Sequence, residues 1–106
     1  MNAKGWKGGS YGVRVGVANA TQFFKSGWRT VEIEMDRKVH VFELSPGFWR
    51  DCPEIRGAEI GDWLKRHGLA PWPAFRPPDL LLEPLGDNRF RLLEAPPPVL
   101  GASSKR

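Results

Sequence analysis

The segment from residue 30 to residue 44 restricts the fold most, because it contains two short alternating stretches joined by a tight turn. In the first stretch, TVEIEMD, the apolar residues occupy every second position: Val31, Ile33, Met35. After the turn DRK, the stretch VHVFEL alternates again. A period of two over stretches of this length predicts a β-hairpin. We expect Val39 and Val41 to face the core and His40 to face solvent.

The rest of the chain adds further short strands and one clear helix. Residues 11–17 alternate and predict a strand, and NATQFF after them predicts a single helical turn. The stretch AEIGDWLKRHG carries Ile60, Trp63, Leu64 and His67 at helical spacing. DLLLEPL, GDN and RFRLLE form a second predicted hairpin. Short turns favour antiparallel pairing. The expected fold class is α+β, mostly β: a small open antiparallel pseudobarrel with one main helix and one or two short helices.

The length of 106 residues is sufficient for one domain with one hydrophobic core. Residues 1–9, MNAKGWKGG, are small and basic and predict a flexible basic arm. Residues 10–94 form the expected globular domain, and the Pro-rich residues 95–106 predict a disordered tail. The first residues lack the apolar region of a secretory signal, and no apolar run is long enough to span a membrane. A cytoplasmic location without membrane association is therefore the expectation.

Positive charge is concentrated at the start of the chain. Residues 1–29 contain no acid and carry five cations: Lys4, Lys7, Arg14, Lys25, Arg29. Residues 30–94 have a formal charge of −3, and the whole chain has a net charge of +4. Such an asymmetry is typical of a surface that binds a polyanion, commonly a nucleic acid, although a solubilising arm has the same composition.

The sequence contains no recognisable catalytic constellation. His40 and His67 lie in unrelated elements, and His67 is expected to act as a cation at the end of its helix. Cys52 is the only cysteine, and a buried free thiol is the simpler interpretation. No cluster has the spacing of metal ligands. We expect a protein that is not an enzyme and that uses no metal or other cofactor.

The order of elements resembles that of a family of DNA-binding domains. GVRVGV, NATQFF and TVEIEMDRKVHVFEL, followed by GDWLKRHGL and DLLLEPLGDNRFRLL, are similar in order to the B3-type pseudobarrels. AbrB-type swapped hairpins are the second choice. AbrB chains are short and must dimerise to complete a barrel, whereas the length of this single chain favours the B3 type. The resemblance implies that two loop arms grip duplex DNA. The corresponding regions are residues 4–14 and the loop at 45–56.

The sequence therefore predicts a non-catalytic DNA-binding domain that grips duplex DNA. Phosphates would be held by one set of cations: Lys7, Arg14, Lys25, Arg29. Arg50 and Arg56 are the expected base readers, and Trp49 lies beside them in the second loop. Two alternatives remain open. One is a protein-protein interaction module, such as a small adaptor or inhibitor, that uses Trp-rich and Pro-rich surfaces. The other is an RNA-binding barrel.

Overall fold

The computed structural model describes residues 1–50 and 53–96. Strands and helices follow in the order β1 (Asn2–Lys7), β2 (Tyr11–Arg14), α1 (Val17–Phe23), β3 (Thr30–Met35), β4 (Lys38–Glu43), β5 (Glu54–Arg56), α2 (Ala58–Arg66), β6 (Asp79–Gly86) and β7 (Arg89–Glu94). A 3-10 helix, Pro46–Trp49, lies between β4 and β5. The expected fold class is confirmed: the chain is mostly strand, with two α-helices and a seven-stranded sheet nearly closed into a barrel.

The sheet has the order β4-β3-β7-β6-β1-β2-β5. All neighbouring strands are antiparallel except β3 and β7, which pair in parallel. The two outermost strands, β4 and β5, approach each other and bring the sheet close to closure. Gly57, directly after β5, leaves space for the ring of Phe42 on β4, since a Cβ at this position would lie 2.5 Å from Phe42 Cε1.

The core fills the interior of this curved sheet, and α2 covers one end of it. Ile60, Trp63 and Leu64 of α2 are fully buried, which confirms the apolar helix face predicted from their spacing. The helix packs on β2 where Gly61 meets the Tyr11 side chain, with Cβ distances of ordinary van der Waals contact. A Cβ at Gly61 would therefore fit against Tyr11 without displacing it.

The β3–β4 hairpin forms as predicted, but the orientation expected for its second strand is wrong. A turn of two residues, Asp36 and Arg37, both with positive φ, joins the strands. This turn pairs Ile33 with His40, and directly paired residues share a face of the sheet. His40 therefore lies on the inner face. Val39 and Val41 lie on the outer face, where they are 44% and 64% exposed.

The first residues also differ from the expectation, because they form a strand rather than a flexible arm. β1 pairs with β2 on one side and with β6 on the other, so it lies inside the sheet. Ala3 is buried, and the Gly5 amide donates a hydrogen bond to the Pro78 carbonyl. Alternating Gly, Lys and Trp give a weak strand signal. Pairing with β2 and β6 therefore stabilises β1 as a strand, although its local strand propensity is weak.

Two sequence predictions fall largely or wholly outside the described residues. Cys52 lies outside them, and of the predicted tail, 95–106, only Ala95 and Pro96 are described. Within the described part of the chain, neither helix combines the length and apolarity that a membrane span requires.

Candidate functional site

The outer face of β1, β2 and β5 carries two rows of side chains that run across the strands. Lys4, Arg14 and Glu54 form one row, because Arg14 is paired with Lys4 on one side and with Glu54 on the other. Trp6, Gly12 and Arg56 form the next row in the same way. Three cations and one tryptophan that are distant in sequence therefore share one small patch of the barrel wall.

A buried carboxylate organises two of these cations. Glu54 has a side chain only 4% exposed, and its oxygens lie 3.4 Å from Arg14 Nε and 3.6 Å from Arg56 Nη2. Both guanidinium groups are about half exposed. Each guanidinium has five N–H donors, of which a single carboxylate occupies few. Glu54 thus forms ion pairs with both Arg14 and Arg56, and both guanidinium groups remain accessible to solvent.

Arg56 is also held by an aromatic ring. Its guanidinium carbon lies 4.5 Å from the centroid of the Trp6 ring, a cation–π contact. Gly12, between these two residues in the row, makes the close approach of β5 possible, since a Cβ there would lie 2.4 Å from the Ile55 carbonyl oxygen. Arg56 of β5 is therefore stacked on Trp6 of the β1–β2 hairpin.

A series of depressions continues from this patch along one side of the molecule. The first is lined by Lys4 and Arg14, and the second by Arg14, Trp6 and Arg56. The second shares Val17 and Pro53 with a third, which contains Arg50 and Trp49. The third shares Ser26 and Trp49 with a fourth, which contains Arg29 and Trp28. Shared lining residues show that these depressions adjoin one another, and we call them together the basic groove.

Helix α1 forms the middle of the basic groove. Gly16, with φ of +89°, occupies the N-cap and turns the chain out of β2. Asn19, within α1, donates hydrogen bonds to the carbonyls of Asn2 and Val15. These bonds tie α1 to β1 and β2, so that exposed Val17 lies between the Arg14 patch and the loop after β4.

The basic groove contains most of the residues that the sequence singled out. Five of the predicted site residues line it: Arg14, Arg29, Trp49, Arg50, Arg56. Lys25 is exposed and directly precedes Ser26, which lines the groove. Lys7 is not brought there. It lies on the other face of β1, 5.5 Å from the Tyr11 ring centroid, and Lys65 lies over the same ring at 5.7 Å.

Four residues of the basic groove were not among the predicted site residues, although the first two lie in the predicted arm 4–14: Lys4, Trp6, Trp28, Glu54. The first two were assigned to a flexible arm, and only the strand register places them beside Arg14. Trp28 lines the groove although it also packs on the core. Glu54 looks like an ordinary surface glutamate, and its burial follows from its pairing with Arg14 across β2 and β5.

A different part of the barrel wall carries balanced ion pairs. Arg89 of β7 contacts Glu32 of β3, with Nη2 to Oε1 at 2.6 Å. Arg91 bridges Glu34 at 3.0 Å and Glu83 at 3.1 Å, and these two carboxylates raise the pKa of its guanidinium. The cations on β7 are therefore matched by carboxylates on the adjacent strands. In the basic groove Lys4 pairs with Asp79, and Arg14 and Arg56 share the single carboxylate of Glu54.

His67 forms a separate cluster at the end of α2. Its Nδ1 lies 2.6 Å from Glu94 Oε2, and its Nε2 lies 2.9 Å from Asp36 Oδ1. Partial burial lowers the pKa of His67, but the hydrogen bonds and charges of these two carboxylates outweigh burial and raise it above its ordinary value. The hydrogen bond from His67 is the main cause of a lowered Asp36 pKa. The cluster joins three elements electrostatically.

Within residues 1–50 and 53–96, no group of three or more His, Cys, Asp or Glu side chains is arranged to hold a metal ion. The chemistry that the basic groove offers is therefore anion binding by guanidinium groups, beside aromatic faces. Comparisons of the chain with protein-family models, with curated proteins and with solved structures gave no significant match. The resemblance to B3-type pseudobarrels accordingly remains a prediction.

Proposed function

We propose that this chain is a non-catalytic nucleic-acid-binding domain that holds duplex DNA along the basic groove. One observation carries the proposal: cations from separate parts of the chain line the adjoining depressions of the basic groove, namely Lys4, Arg14, Arg29, Arg50 and Arg56. The described carboxylates that line it are fewer: Glu43, Glu54, Asp79. An excess of fixed positive charge along a groove is the electrostatic requirement for binding phosphates in series.

The individual side chains suit this task. Arg14 and Arg56 are about half exposed, so their guanidinium donors are accessible to phosphate oxygens. Arg29 and Arg50 lie farther along the basic groove and extend the row of cations. The proposal includes a cytoplasmic location and a B3-like relationship. Both agree with a small basic domain that contacts DNA through the basic groove, as proposed.

The salt dependence of duplex binding tests the proposal. If the four arginines of the groove each neutralise one phosphate, log K against log salt should have a slope near −3.6, from about −0.9 per contact. Fluorescence anisotropy with a labelled duplex at several NaCl concentrations gives this slope. Competition with single-stranded RNA of the same length distinguishes DNA from RNA as the preferred polymer. Binding that is independent of salt, or absent at micromolar duplex, contradicts the proposal.

A protein-interaction module is the second candidate function, and one residue favours it. Phe75 is fully exposed and has a φ of +64° in the Pro-rich segment between α2 and β6. Aromatic residues, including Phe, are enriched in the cores of protein–protein interfaces, so we assign Phe75 as the anchor of such a contact. If this function is correct, Phe75→Ser abolishes capture of the partner, whereas replacing both Arg14 and Arg29 by Glu leaves capture intact.

A further inference from the structure

The end of the basic groove beyond α1 is a pocket with two tryptophan side chains. It is lined by Trp28 and Trp49 together with Arg29 and Glu43, and its volume is about 690 Å³. Small-molecule sites in proteins have volumes of about 300–1,000 Å³. The pocket is therefore large enough for a planar group of the size of a nucleotide.

The two tryptophans are held by a cluster of aromatic rings in the core. Trp28 contacts Phe24 edge to face at 5.9 Å, and Trp49 contacts Phe48 in the same manner at 4.9 Å. Phe24 and Phe48 are both buried, and their ring centroids are 5.0 Å apart. Because both indoles rest on one packed cluster, their positions are coupled and their mobility is restricted. A preorganised aromatic surface of this kind loses little entropy when a ring stacks on it.

The pocket contains one cationic side chain, Arg29, and one anionic side chain, Glu43. Arg29 directly precedes β3, and Glu43 is the last residue of β4, paired with Thr30. The Leu44 amide donates to the Arg29 carbonyl, which fixes the two backbones next to each other. A carboxylate accepts hydrogen bonds from the amino and imino groups of a base, and a guanidinium binds a phosphate. A nucleotide is the ligand class that carries a planar ring, N–H donors and an anionic group together.

We propose that the Trp28–Trp49 pocket binds one unpaired nucleobase of a nucleic acid held in the basic groove. This inference rests on the proposed function and adds a preference to it. In an intact duplex the faces of the bases are stacked and inaccessible to indole rings, whereas an extrahelical or single-stranded base exposes them. The preferred ligand is thus a nucleic acid with a bulged or otherwise unpaired base adjoining a paired segment.

Three labelled DNA ligands test the inference: a fully paired duplex, the same duplex with one bulged nucleotide, and the same duplex with a bulged abasic site. Binding should be about tenfold tighter for the bulged nucleotide than for the abasic bulge, from the usual worth of one base stacked on an aromatic ring. Trp49→Leu should bring the ratio of these two affinities close to one. Because the ratio compares two bulged ligands in the same variant, a change in affinity for the paired duplex does not alter it. Trp72→Leu, a substitution outside the groove, should retain the difference.

The possible outcomes separate the two proposals. If the base-containing and abasic bulges bind equally, with salt-dependent binding to all three ligands, the pocket inference is overturned and the proposed function stands. If none of the three ligands binds, both are overturned. A thermal denaturation curve for Trp49→Leu confirms that the variant is folded. An unchanged preference for the bulged nucleotide in folded Trp49→Leu overturns the inference. Should that variant be unfolded, Glu43→Gln takes its place, and an unchanged preference in folded Glu43→Gln overturns the inference.

Discussion

The Arg56 guanidinium lies 4.5 Å from the centroid of the Trp6 ring, although the two residues belong to strands that do not pair with each other. β2 lies between these strands, and its residue at this level is Gly12. The contact therefore depends on the absence of a side chain at Gly12 as well as on the side chains of Trp6 and Arg56. It places an arginine at the outer end of the β1–β2 hairpin, where the basic groove begins.

Removal of charge in the basic groove should change the salt dependence of DNA binding. Arg14→Gln and Arg56→Gln should each weaken duplex binding and make the slope of log K against log salt shallower by about 0.9. Lys7→Gln is the matched control, because Lys7 lies on the other face of β1 and should leave the slope unchanged. Anisotropy titrations at several NaCl concentrations measure the slope for all three variants. An equal change of slope in the three variants would contradict the assignment of the basic groove as the DNA-binding surface.

Glu54→Gln should separate stability from binding. It removes the charge that attracts two half-exposed guanidinium groups, so we expect a loss of about 1 kcal/mol in the free energy of unfolding. It also removes a negative charge from the groove, so duplex binding should become several-fold tighter at low salt. Urea denaturation and anisotropy give the two quantities. In the control variant Glu32→Gln, outside the groove, affinity for the duplex should rise less than in Glu54→Gln. A larger rise in Glu32→Gln than in Glu54→Gln would contradict a role for Glu54.

The two glycines Gly12 and Gly9 should respond differently to a methyl group. Gly12→Ala places a Cβ 2.4 Å from the Ile55 carbonyl oxygen, so β2 and β5 must separate, at a cost of about 1–3 kcal/mol. Gly9→Ala meets nothing within 4 Å and should change stability by less than about 0.5 kcal/mol. Urea denaturation of both variants provides the comparison. Equal stabilities would show that β5 does not pack on β2 as described.

The His67 cluster should make stability dependent on pH. Because the folded state raises the pKa of His67, its contribution is complete below the ordinary value of 6.5 and is lost as pH rises through the folded pKa. Because Asp36 has a lowered pKa, its contribution is present above 3.8 and is lost as pH falls through its folded pKa. Thermal stability from this cluster should therefore be greatest between these two values.

His67→Gln provides the test of this dependence. As pH rises from below 6.5 to well above it, the midpoint of thermal unfolding should fall less in His67→Gln than in the unaltered protein. His40→Gln is the control for the other histidine and should retain the full dependence. If His67→Gln has the same pH profile as the unaltered protein, the cluster does not stabilise the fold.

The sequence alone was sufficient for much of the local structure. Alternation predicted the β3–β4 and β6–β7 hairpins, and helical spacing predicted the buried face of α2, because both signals arise from side-chain periodicity within one element. The acid-free first 29 residues likewise indicated positive charge before any fold was known. Each of these properties depends on neighbours in sequence, and the residues themselves therefore carry the information.

Tertiary structure decided which side chains meet. The turn of two residues at Asp36 reversed the expected orientation of β4, because register, rather than hydrophobicity, fixes the face of a paired strand. Pairing on both sides made a strand of the Gly- and Lys-rich β1, so that Lys4 and Trp6 joined the groove and Lys7 did not. Burial of Glu54 followed from the same register. Contacts between strands distant in sequence have no local periodic signal, and only the closed sheet defines them.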